Sequence, residues 1–487
     1  MIQGIFRWIS VCLIVWVFVS VSVFGRPPVM QDTNERHLTV HLRGVFDAKV
    51  SVTPFNGLKT INPVAEISGM KNGKTVTLEI PAQYLPCEFV LRFDYRTKES
   101  DHPYPSEKNI YINKQDMELF VNPLYINNSD STRFAAGEME NTVYSAFIIE
   151  NNKKRMQVDL LKQFLFSYDR PESKFYTQGV KEYEQRRMKY NQWLSDQSET
   201  YSELYVSRLF QFQYIPAIVW RGNENERLSQ ILKNYFEGID FSDTLIIRSR
   251  ELTKLMGDYM GLYGMQATTK ELQDSLFTQA GSIACEKASK GHPKVYGWMV
   301  DYFYVGYESY GINKGMTMLQ QHINNPNCLT SKKQQIIKRL EGMTKLISGV
   351  LSPDFVLVDN DSNKFNFHAY KGAAEYKLLL FWSAGCEHCQ QLVKELIQWY
   401  NEPENKKKLD VIAVSLDETE TEVQKWKNDI INLPGWKHLC AKEGINSAVA
   451  NDYAILSTPV MFLVGSESNI IKAIPDNLDK LIKDLER

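Results

Sequence analysis

Two cysteines that stand three positions apart are the residues of this sequence with the clearest chemical potential. Cys386 and Cys389 close the stretch LLLFWSAGCEHC, with Glu387 and His388 between them. Such a pair can exchange disulfides, supply half of a metal site, or be two neighbouring buried thiols. A structural zinc site needs four ligands, usually two such pairs, and the sequence has no second C-x-x-C. The spacing therefore favours redox chemistry, and we expect no metal.

The segments on either side of the pair predict a strand that runs into a helix. An apolar run ends at Trp382, three small residues follow, and a helical pattern begins near Cys386. The first turn of a helix offers unsatisfied backbone N–H groups and the positive end of the helix dipole, and both stabilise a thiolate. We expect Cys386 to attack and Cys389, one turn later, to resolve the mixed disulfide. A protonated His388 favours the thiolate and Glu387 opposes it, so both are candidates for tuning the acidity of the pair.

The pattern of the C-terminal part of the chain predicts strands that alternate with helices. Two short apolar runs flank a polar turn at residues 359–362, and the run LDVIAVSLD indicates a buried parallel strand. A helical pattern follows at 421–430, then the runs TPVMFLV and NIIKAI on either side of a polar turn, and a last helix at 478–485. This order predicts an α/β layer domain, which we place at residues 348–487.

Three stretches of this domain resemble a known family. FWSAGCEHC and the later STPVMFL resemble the thioredoxin fold, and SPDFVLVDNDSNKFNF looks like the leading hairpin of its exported TlpA/ResA-like branch. The resemblance implies that Cys386 attacks, that Cys389 resolves, that Trp382 shields the pair, and that no metal or organic cofactor is required. It also implies that Pro459 is the family's cis-proline opposite the cysteines. Because proline lacks an N–H, the adjacent Thr458 backbone is left to pair with a substrate strand.

The sequence departs from the family pattern in two places. Many members carry a buried glutamate three residues after the second cysteine, where this chain has Leu392. Glu395 lies one turn further on, and a surface carboxylate is the favoured interpretation. The second departure is the pair Glu387-His388, where related reductases often have a proline. A histidine next to the resolving cysteine is similar to the arrangement in strong oxidants, in which a stabilised thiolate makes the disulfide easier to reduce.

The N-terminus predicts export from the cytoplasm. One cation, Arg7, precedes an uncharged apolar run from Trp8 to Phe24. This order is typical of a cleaved export signal, and the run is also nearly long enough to span a bilayer. We therefore interpret residues 1–27 as a signal peptide or an N-terminal membrane anchor. Either one predicts the periplasm or cell envelope, with or without an inner-membrane anchor, where disulfide chemistry is sustained.

Two accessory domains are expected between this segment and the α/β domain. Residues 35–125 show alternating apolar positions, with a hairpin signal at Asn72-Gly73, and predict a small antiparallel β-sandwich. Its arrangement resembles the β-rich domain that precedes thioredoxin modules in exported proteins of gut anaerobes. Residues 135–347 carry apolar positions at helical spacing and predict an all-α domain. The chain is thus expected to be multidomain, with a C-terminal α/β thioredoxin fold.

These features favour a thiol–disulfide oxidoreductase over other classes. A formal net charge of −2 argues against a nucleic-acid partner. Peroxide reduction is disfavoured, because no P-x-x-x-T-x-x-C pattern with a single reactive cysteine occurs. We expect an extracytoplasmic enzyme that exchanges disulfides with envelope protein thiols or disulfides, and a membrane redox partner is a candidate. The alternative is an envelope partner-binding protein with a redox-inactive thioredoxin-like domain.

Overall fold

A computed structural model describes residues 35–55, 57–58 and 62–486. The expected signal peptide or anchor at 1–27 lies outside the described residues. Within the described part, no helix is long and apolar enough to cross a membrane. The described residues form two compact units: the first holds 35–54, 62–147 and 204–206, and the second holds 148–203 and 207–486 with a short segment near residue 57.

The first unit contains eight described strands in two four-stranded sheets. The strands are β1 (Arg36–Leu42), β2 (Asp47–Pro54), β3 (Ala65–Lys71), β4 (Thr75–Ile80), β5 (Cys87–Arg96), β6 (Tyr104–Ile112), β7 (Met117–Val121) and β8 (Arg133–Phe134). One sheet has the order β4-β1-β7-β8 and the other β3-β2-β5-β6. Alternate residues of β1 are buried, as the period-two pattern predicts. The expected β-rich domain is confirmed; its pairs are antiparallel apart from β1 with β7, which is parallel.

The predicted hairpin at Asn72-Gly73 is wrong. A turn does occur there, with Gly73 at a φ of 73°, but β3 pairs with β2 and β4 pairs with β1. The turn therefore carries the chain from one sheet to the other. The Asn72 N–H donates to the carbonyl of Phe46, just before β2, at 3.1 Å, and the Gly73 N–H donates to the carbonyl of Leu42, the last residue of β1, at 2.8 Å. The local turn signal was correct, whereas the pairing partner is set by longer-range contacts.

Eight helices follow in the described chain. They are α1 (Glu140–Ser167), α2 (Lys174–Thr200), α3 (Glu224–Asn234), α4 (Arg250–Gly264), α5 (Lys270–Ala288), α6 (Pro293–Tyr310), α7 (Asn313–Ile323) and α8 (Lys333–Lys345). Helix α4 buries Leu252, Met256, Tyr259 and Tyr263, which share one face at i, i+4, i+7 and i+11. Helix α6 is buried on most of its circumference, so it lies inside the group rather than on its surface. The predicted all-α region is confirmed.

The C-terminal domain contains a five-stranded mixed sheet. Its elements are β9 (Val356–Val358), β10 (Lys364–Asn366), β11 (Tyr376–Trp382), α9 (Glu387–Tyr400), α10 (Pro403–Lys408), β12 (Leu409–Ser415), α11 (Glu420–Asp429), β13 (Lys437–Cys440), α12 (Ala448–Asp452), β14 (Val460–Gly465), β15 (Ile471–Ala473) and α13 (Leu478–Leu485). The sheet order is β13-β12-β11-β14-β15, and β9 pairs with β10 as a separate hairpin. Strand β11 runs parallel to β12 and antiparallel to β14.

Strand β11 is held from both faces of the sheet. Leu378, Leu380 and Trp382 belong to one core, which includes residues of α9, α11 and α13. Leu379 and Phe381 belong to the other, which includes the β9–β10 hairpin, α12 and Leu346 after α8. Burying each such side chain contributes roughly 1.5–3 kcal/mol. The carboxyl end of β11, from which the cysteine segment departs, is therefore rigidly placed.

Helix α8 contacts the C-terminal domain within the second unit. Lys338 Nζ of α8 donates to Asn451 Oδ1 at 2.8 Å, and Ser348 Oγ, in the segment after α8, donates to the Lys472 carbonyl at 2.7 Å. The helical region and the α/β domain thus share one compact unit. The boundaries drawn from the sequence at 35–125, 135–347 and 348–487 stay predictions.

Candidate active site

Cys386 begins helix α9 in the capping position. After β11 ends at Trp382, residues 383–385 turn the chain, and Cys386 has extended backbone angles with Glu387 as the first helical residue. The Cys386 sulfur accepts the backbone N–H of Cys389 at 3.2 Å, as serine or aspartate oxygens do at other helix starts. This N–H donor and the helix dipole both favour negative charge on the sulfur.

The segment around Pro459 lies opposite the cysteines. The Thr458–Pro459 peptide bond is cis, and the Cys386 thiol donates to the Thr458 carbonyl oxygen at 3.5 Å. The structure thus brings Thr458 and Pro459 to the place that the family resemblance implies. Their role in positioning a substrate stays a prediction.

The two cysteines differ in exposure and in proton affinity. Both are free thiols; Cys386 is half-buried and Cys389 is fully buried. Burial is the main cause that raises the pKa of the Cys389 thiol, and the neighbouring Cys386 sulfur raises it further. The Thr458 side chain and the Ser383 backbone act in the opposite direction, with smaller effect. Cys389 therefore keeps its proton at neutral pH, while Cys386 is the more accessible of the two sulfurs.

We expect the second step of disulfide exchange to accelerate with pH. Only the thiolate of Cys389 attacks the mixed disulfide. Because its pKa is raised, the thiolate fraction grows about tenfold per pH unit over the whole neutral range. Reaction of the reduced protein with an aromatic disulfide, followed by stopped-flow absorbance from pH 6 to 8.5, resolves the two steps. A plateau of the second step below pH 8 would contradict the raised pKa, and Cys389→Ser, which lacks that step, is the control.

Trp382 is fully buried beside this site. It belongs to the same core cluster as Ala384 and Cys389, and the shielding role that the resemblance implies stays a prediction. Its indole N–H has no hydrogen-bond acceptor among the residues that the structure describes.

Glu387 and His388 are both exposed. Charges in contact with water are screened, so their influence on the nearby thiol is modest. Their assignment as tuning residues stays a prediction, which the next experiment addresses.

Replacing His388 with proline should make the Cys386–Cys389 couple more reducing. Proline removes an imidazole that favours the thiolate when it is protonated, so the reduced form becomes less stable. An exposed charge contributes about 0.3–1 kcal/mol, which corresponds to a shift of roughly 6–21 mV for a two-electron couple. Glu387→Gln is the matched variant, and it should shift the potential in the opposite direction. Equilibration with glutathione buffers measures the redox potential of each protein. Equal potentials in the wild type and the two variants would show that neither Glu387 nor His388 tunes the cysteine pair.

Asp417 is a site residue that our sequence analysis missed. It is 1% exposed and accepts hydrogen bonds from the Ser383 hydroxyl at 2.6 Å, the Ala384 N–H at 3.0 Å and the Ser415 hydroxyl at 2.7 Å. Ser383 and Ala384 form the turn that leads to Cys386. Asp417 stands just beyond β12, and carboxyl ends of adjacent parallel strands lie at the same edge of a sheet. This rule about parallel strands is the signal in the sequence that could have identified Asp417 as a site residue.

Gln390 holds the same turn from the helix side. Its amide donates to the Ala384 carbonyl at 3.0 Å and to Asp429 Oδ2 at 2.8 Å. The turn before Cys386 is therefore fixed by β12 through Asp417 and by the end of α11 through Gln390.

The two departures from the family pattern can be placed in the structure. Leu392 is buried, so the position that often carries a buried glutamate is apolar here. Glu395 is exposed and accepts a hydrogen bond from Gln391, in agreement with a surface carboxylate.

Cys285, Cys328 and Cys440 are also free thiols. Among the described residues, no cluster of three or more histidine, cysteine or acidic side chains is arranged to hold a metal.

Comparison with known proteins places this site in a recognised family domain. Residues 374–470 match a family model described as thioredoxin-like. No curated protein matches the chain.

Solved structures similar to this chain include three from Bacteroides. The thioredoxin domain of a thiol-disulfide oxidoreductase from Bacteroides vulgatus is 27% identical, with 29% of this chain and 96% of that chain covered and a TM-score of 0.25. A thiol-disulfide oxidoreductase from Bacteroides fragilis is 26% identical over 28% of this chain and 96% of that one, with a TM-score of 0.25. A thioredoxin-like protein from Bacteroides caccae is 18% identical over 56% and 97%, with a TM-score of 0.37. The family match and the sheet order together assign a thioredoxin-like fold to the C-terminal domain.

Proposed function

We propose that this protein is an extracytoplasmic thiol–disulfide oxidoreductase that works through the Cys386–Cys389 couple. The observation that carries the proposal is the pairing of a half-buried sulfur at a helix start with a buried thiol one turn behind it. The first sulfur accepts a backbone N–H, and the second holds its proton. This asymmetry suits an attacking and a resolving cysteine.

Reduction of a substrate disulfide proceeds in two exchanges. The Cys386 thiolate attacks one substrate sulfur, forms a mixed disulfide and releases the other substrate sulfur as a thiolate, which takes up a proton. Cys389 then loses its proton, attacks the Cys386 sulfur and releases the second substrate thiol. Two electrons have passed from the protein dithiol to the substrate, and the protein is left with a Cys386–Cys389 disulfide. Oxidation of a substrate is the same sequence in reverse.

The proposed setting is the periplasm or cell envelope. The apolar segment at 8–24 supports export, and an oxidising compartment supplies disulfide-bonded partners. Envelope proteins with thiols or disulfides are the proposed substrates, and a membrane redox protein is the proposed partner that renews the couple.

Insulin reduction by dithiothreitol tests this function. The full-length protein should shorten the lag before insulin precipitates, because Cys386 relays electrons from dithiothreitol to the insulin disulfides. Cys386→Ser should return the lag to that of dithiothreitol alone. If the wild-type protein does not shorten the lag, the redox proposal fails. The alternative, a partner-binding protein with a redox-inactive thioredoxin-like domain, is then favoured.

A further inference from the structure

A pocket of the C-terminal domain lies at the end of the sheet away from the cysteines. Its volume is about 460 Å³, and it is lined by the loop at 371–376, the turn after β14 and one residue of β15. Tyr376, the first residue of β11, stands opposite Gly465, the last residue of β14. Cys386 follows the other end of β11, so the length of the strand, roughly 20 Å, separates the pocket from the cysteine. The pocket is therefore distinct from the redox site.

Hydrogen bonds within the protein hold the turn between β14 and β15 in place. The Ser466 N–H donates to the Glu375 carbonyl at 3.0 Å, and the Asn469 N–H donates to the Gly465 carbonyl at 2.9 Å. The Asn469 side chain also accepts a hydrogen bond from Nζ of Lys377, which is fully buried. Because a site that is formed in advance pays less conformational entropy on binding, this turn is suited to hold a ligand.

A buried hydroxyl group of the pocket lacks a partner. Ser466 lines the pocket and is 6% exposed. Its Oγ has no hydrogen-bond partner among the residues that the structure describes. Leaving a buried hydroxyl unpaired is unfavourable, so a ligand that offers a donor or an acceptor to Ser466 removes this cost. The serine thus indicates a polar occupant.

Four charged side chains line the pocket, two of each sign. The loop before β11 contributes Lys371 and Glu375, and the β14–β15 hairpin contributes Glu467 and Lys472. All four are exposed, and none forms an ion pair within the described part of the chain. Each of the two segments therefore presents one unpaired cation and one unpaired carboxylate.

This charge pattern selects the chemical class of the ligand. A simple anion such as phosphate meets two carboxylates, and a metal cation meets two ammonium groups. An apolar molecule leaves the hydroxyl of Ser466 unpaired. A molecule that carries both a carboxylate and an ammonium group is complementary to both pairs of charges.

We propose that this pocket binds a small zwitterion with one carboxylate and one ammonium group, the chemistry that α-amino acids share with dipeptides and tripeptides. The ligand carboxylate pairs with the lysines, its ammonium group pairs with the glutamates, and a polar atom between them bonds the Ser466 hydroxyl. A volume of about 460 Å³ falls within the range of about 300–1,000 Å³ that is typical of ligand pockets. The site uses neither cysteine, so the proposal is independent of the redox function.

Isothermal titration calorimetry of the full-length protein with alanyl-alanine tests the proposal. We expect saturable binding at millimolar concentration or below. N-acetyl-alanyl-alanine lacks the ammonium group and alanyl-alanine amide lacks the carboxylate, so each should bind roughly tenfold more weakly. Free alanine distinguishes the two sources of the ligand: weaker binding than that of the dipeptide identifies a peptide, and equal binding identifies an amino acid.

Two substitutions test the residues of the pocket. Ser466→Ala should weaken the binding of alanyl-alanine roughly fivefold. It should not lower the melting temperature of the free protein, because the hydroxyl has no partner there. Lys472→Met keeps the aliphatic stem but removes the ammonium group, and should weaken binding about threefold. Lys364→Met is the matched control and should bind as the wild type does, because Lys364 is an exposed residue of β10 that does not line the pocket.

Three results would overturn the proposal. The first is that alanyl-alanine does not bind to the wild-type protein. The second is that either blocked peptide binds as tightly as alanyl-alanine. The third is that Ser466→Ala or Lys472→Met retains the wild-type affinity.

Discussion

Replacing Cys389 with serine should leave Cys386 joined to its protein partners in stable mixed disulfides, and replacing Cys386 with serine should reduce turnover to background. Cys386 is half-buried and is the more accessible sulfur of the pair, and its capping position supplies an N–H donor that stabilises the thiolate. Cys389 is fully buried and protonated at neutral pH, so substrate disulfides reach Cys386 first. Without Cys389 no intramolecular thiol completes the exchange.

Non-reducing electrophoresis after rapid acid quenching measures the trapped species, and insulin reduction measures turnover. Cys440→Ser is the matched control, because Cys440 is a half-buried free thiol of the same domain at the end of β13. It should neither trap partners nor slow turnover. Alkylation of the reduced protein at pH 7 should label Cys386 before Cys389. If Cys389 is labelled first, the two roles are reversed.

The core of the site was predictable because its signals are local. A short apolar run followed directly by small turn residues is typical of a strand buried on both faces, and β11 is such a strand. The small residues after Trp382 and the helical spacing after Cys386 then define the strand–turn–helix order. The last helix was predicted at 478–485 and lies at Leu478–Leu485, since its apolar residues recur at helical spacing.

Other features depend on contacts that distant segments make. Strand β13 has four residues with no clear alternation and is a strand because it pairs with β12. The Asn72-Gly73 turn has a strong local signal, but its flanking strands pair in different sheets. The contribution of Asp417 to the site follows from the parallel pairing of β11 with β12, in which Trp382 stands opposite Ser415. None of these partners is specified by nearby residues.

Replacing Asp417 with alanine should both destabilise the C-terminal domain and slow disulfide exchange. Three donors in and around the turn before Cys386 lose their acceptor: the Ser383 hydroxyl, the Ala384 N–H and the Ser415 hydroxyl. Ala384 and Ser415 are fully buried, so water replaces the carboxylate poorly. An unsatisfied buried donor costs about 1–3 kcal/mol, and we expect the free energy of unfolding to fall by about 2–5 kcal/mol.

Exchange should slow by about tenfold in Asp417→Ala even under conditions where the domain remains folded, because a looser turn no longer holds Cys386 as the cap of α9. Asp417→Asn retains one acceptor oxygen and should lose less stability and less rate. Asp361→Ala, at an exposed aspartate of the β9–β10 turn, is the control and should change the free energy of unfolding by less than about 0.5 kcal/mol.

Urea unfolding followed by tryptophan fluorescence gives the stabilities, and the first step with an aromatic disulfide gives the rate. If Asp417→Ala matches Asp361→Ala in both stability and exchange rate, the turn before Cys386 is held by Gln390 and β11 alone. If Asp417→Ala lowers the free energy of unfolding but not the rate of disulfide exchange, Asp417 contributes to folding alone. An effect on the rate requires that the loss of Asp417 also moves the turn before Cys386.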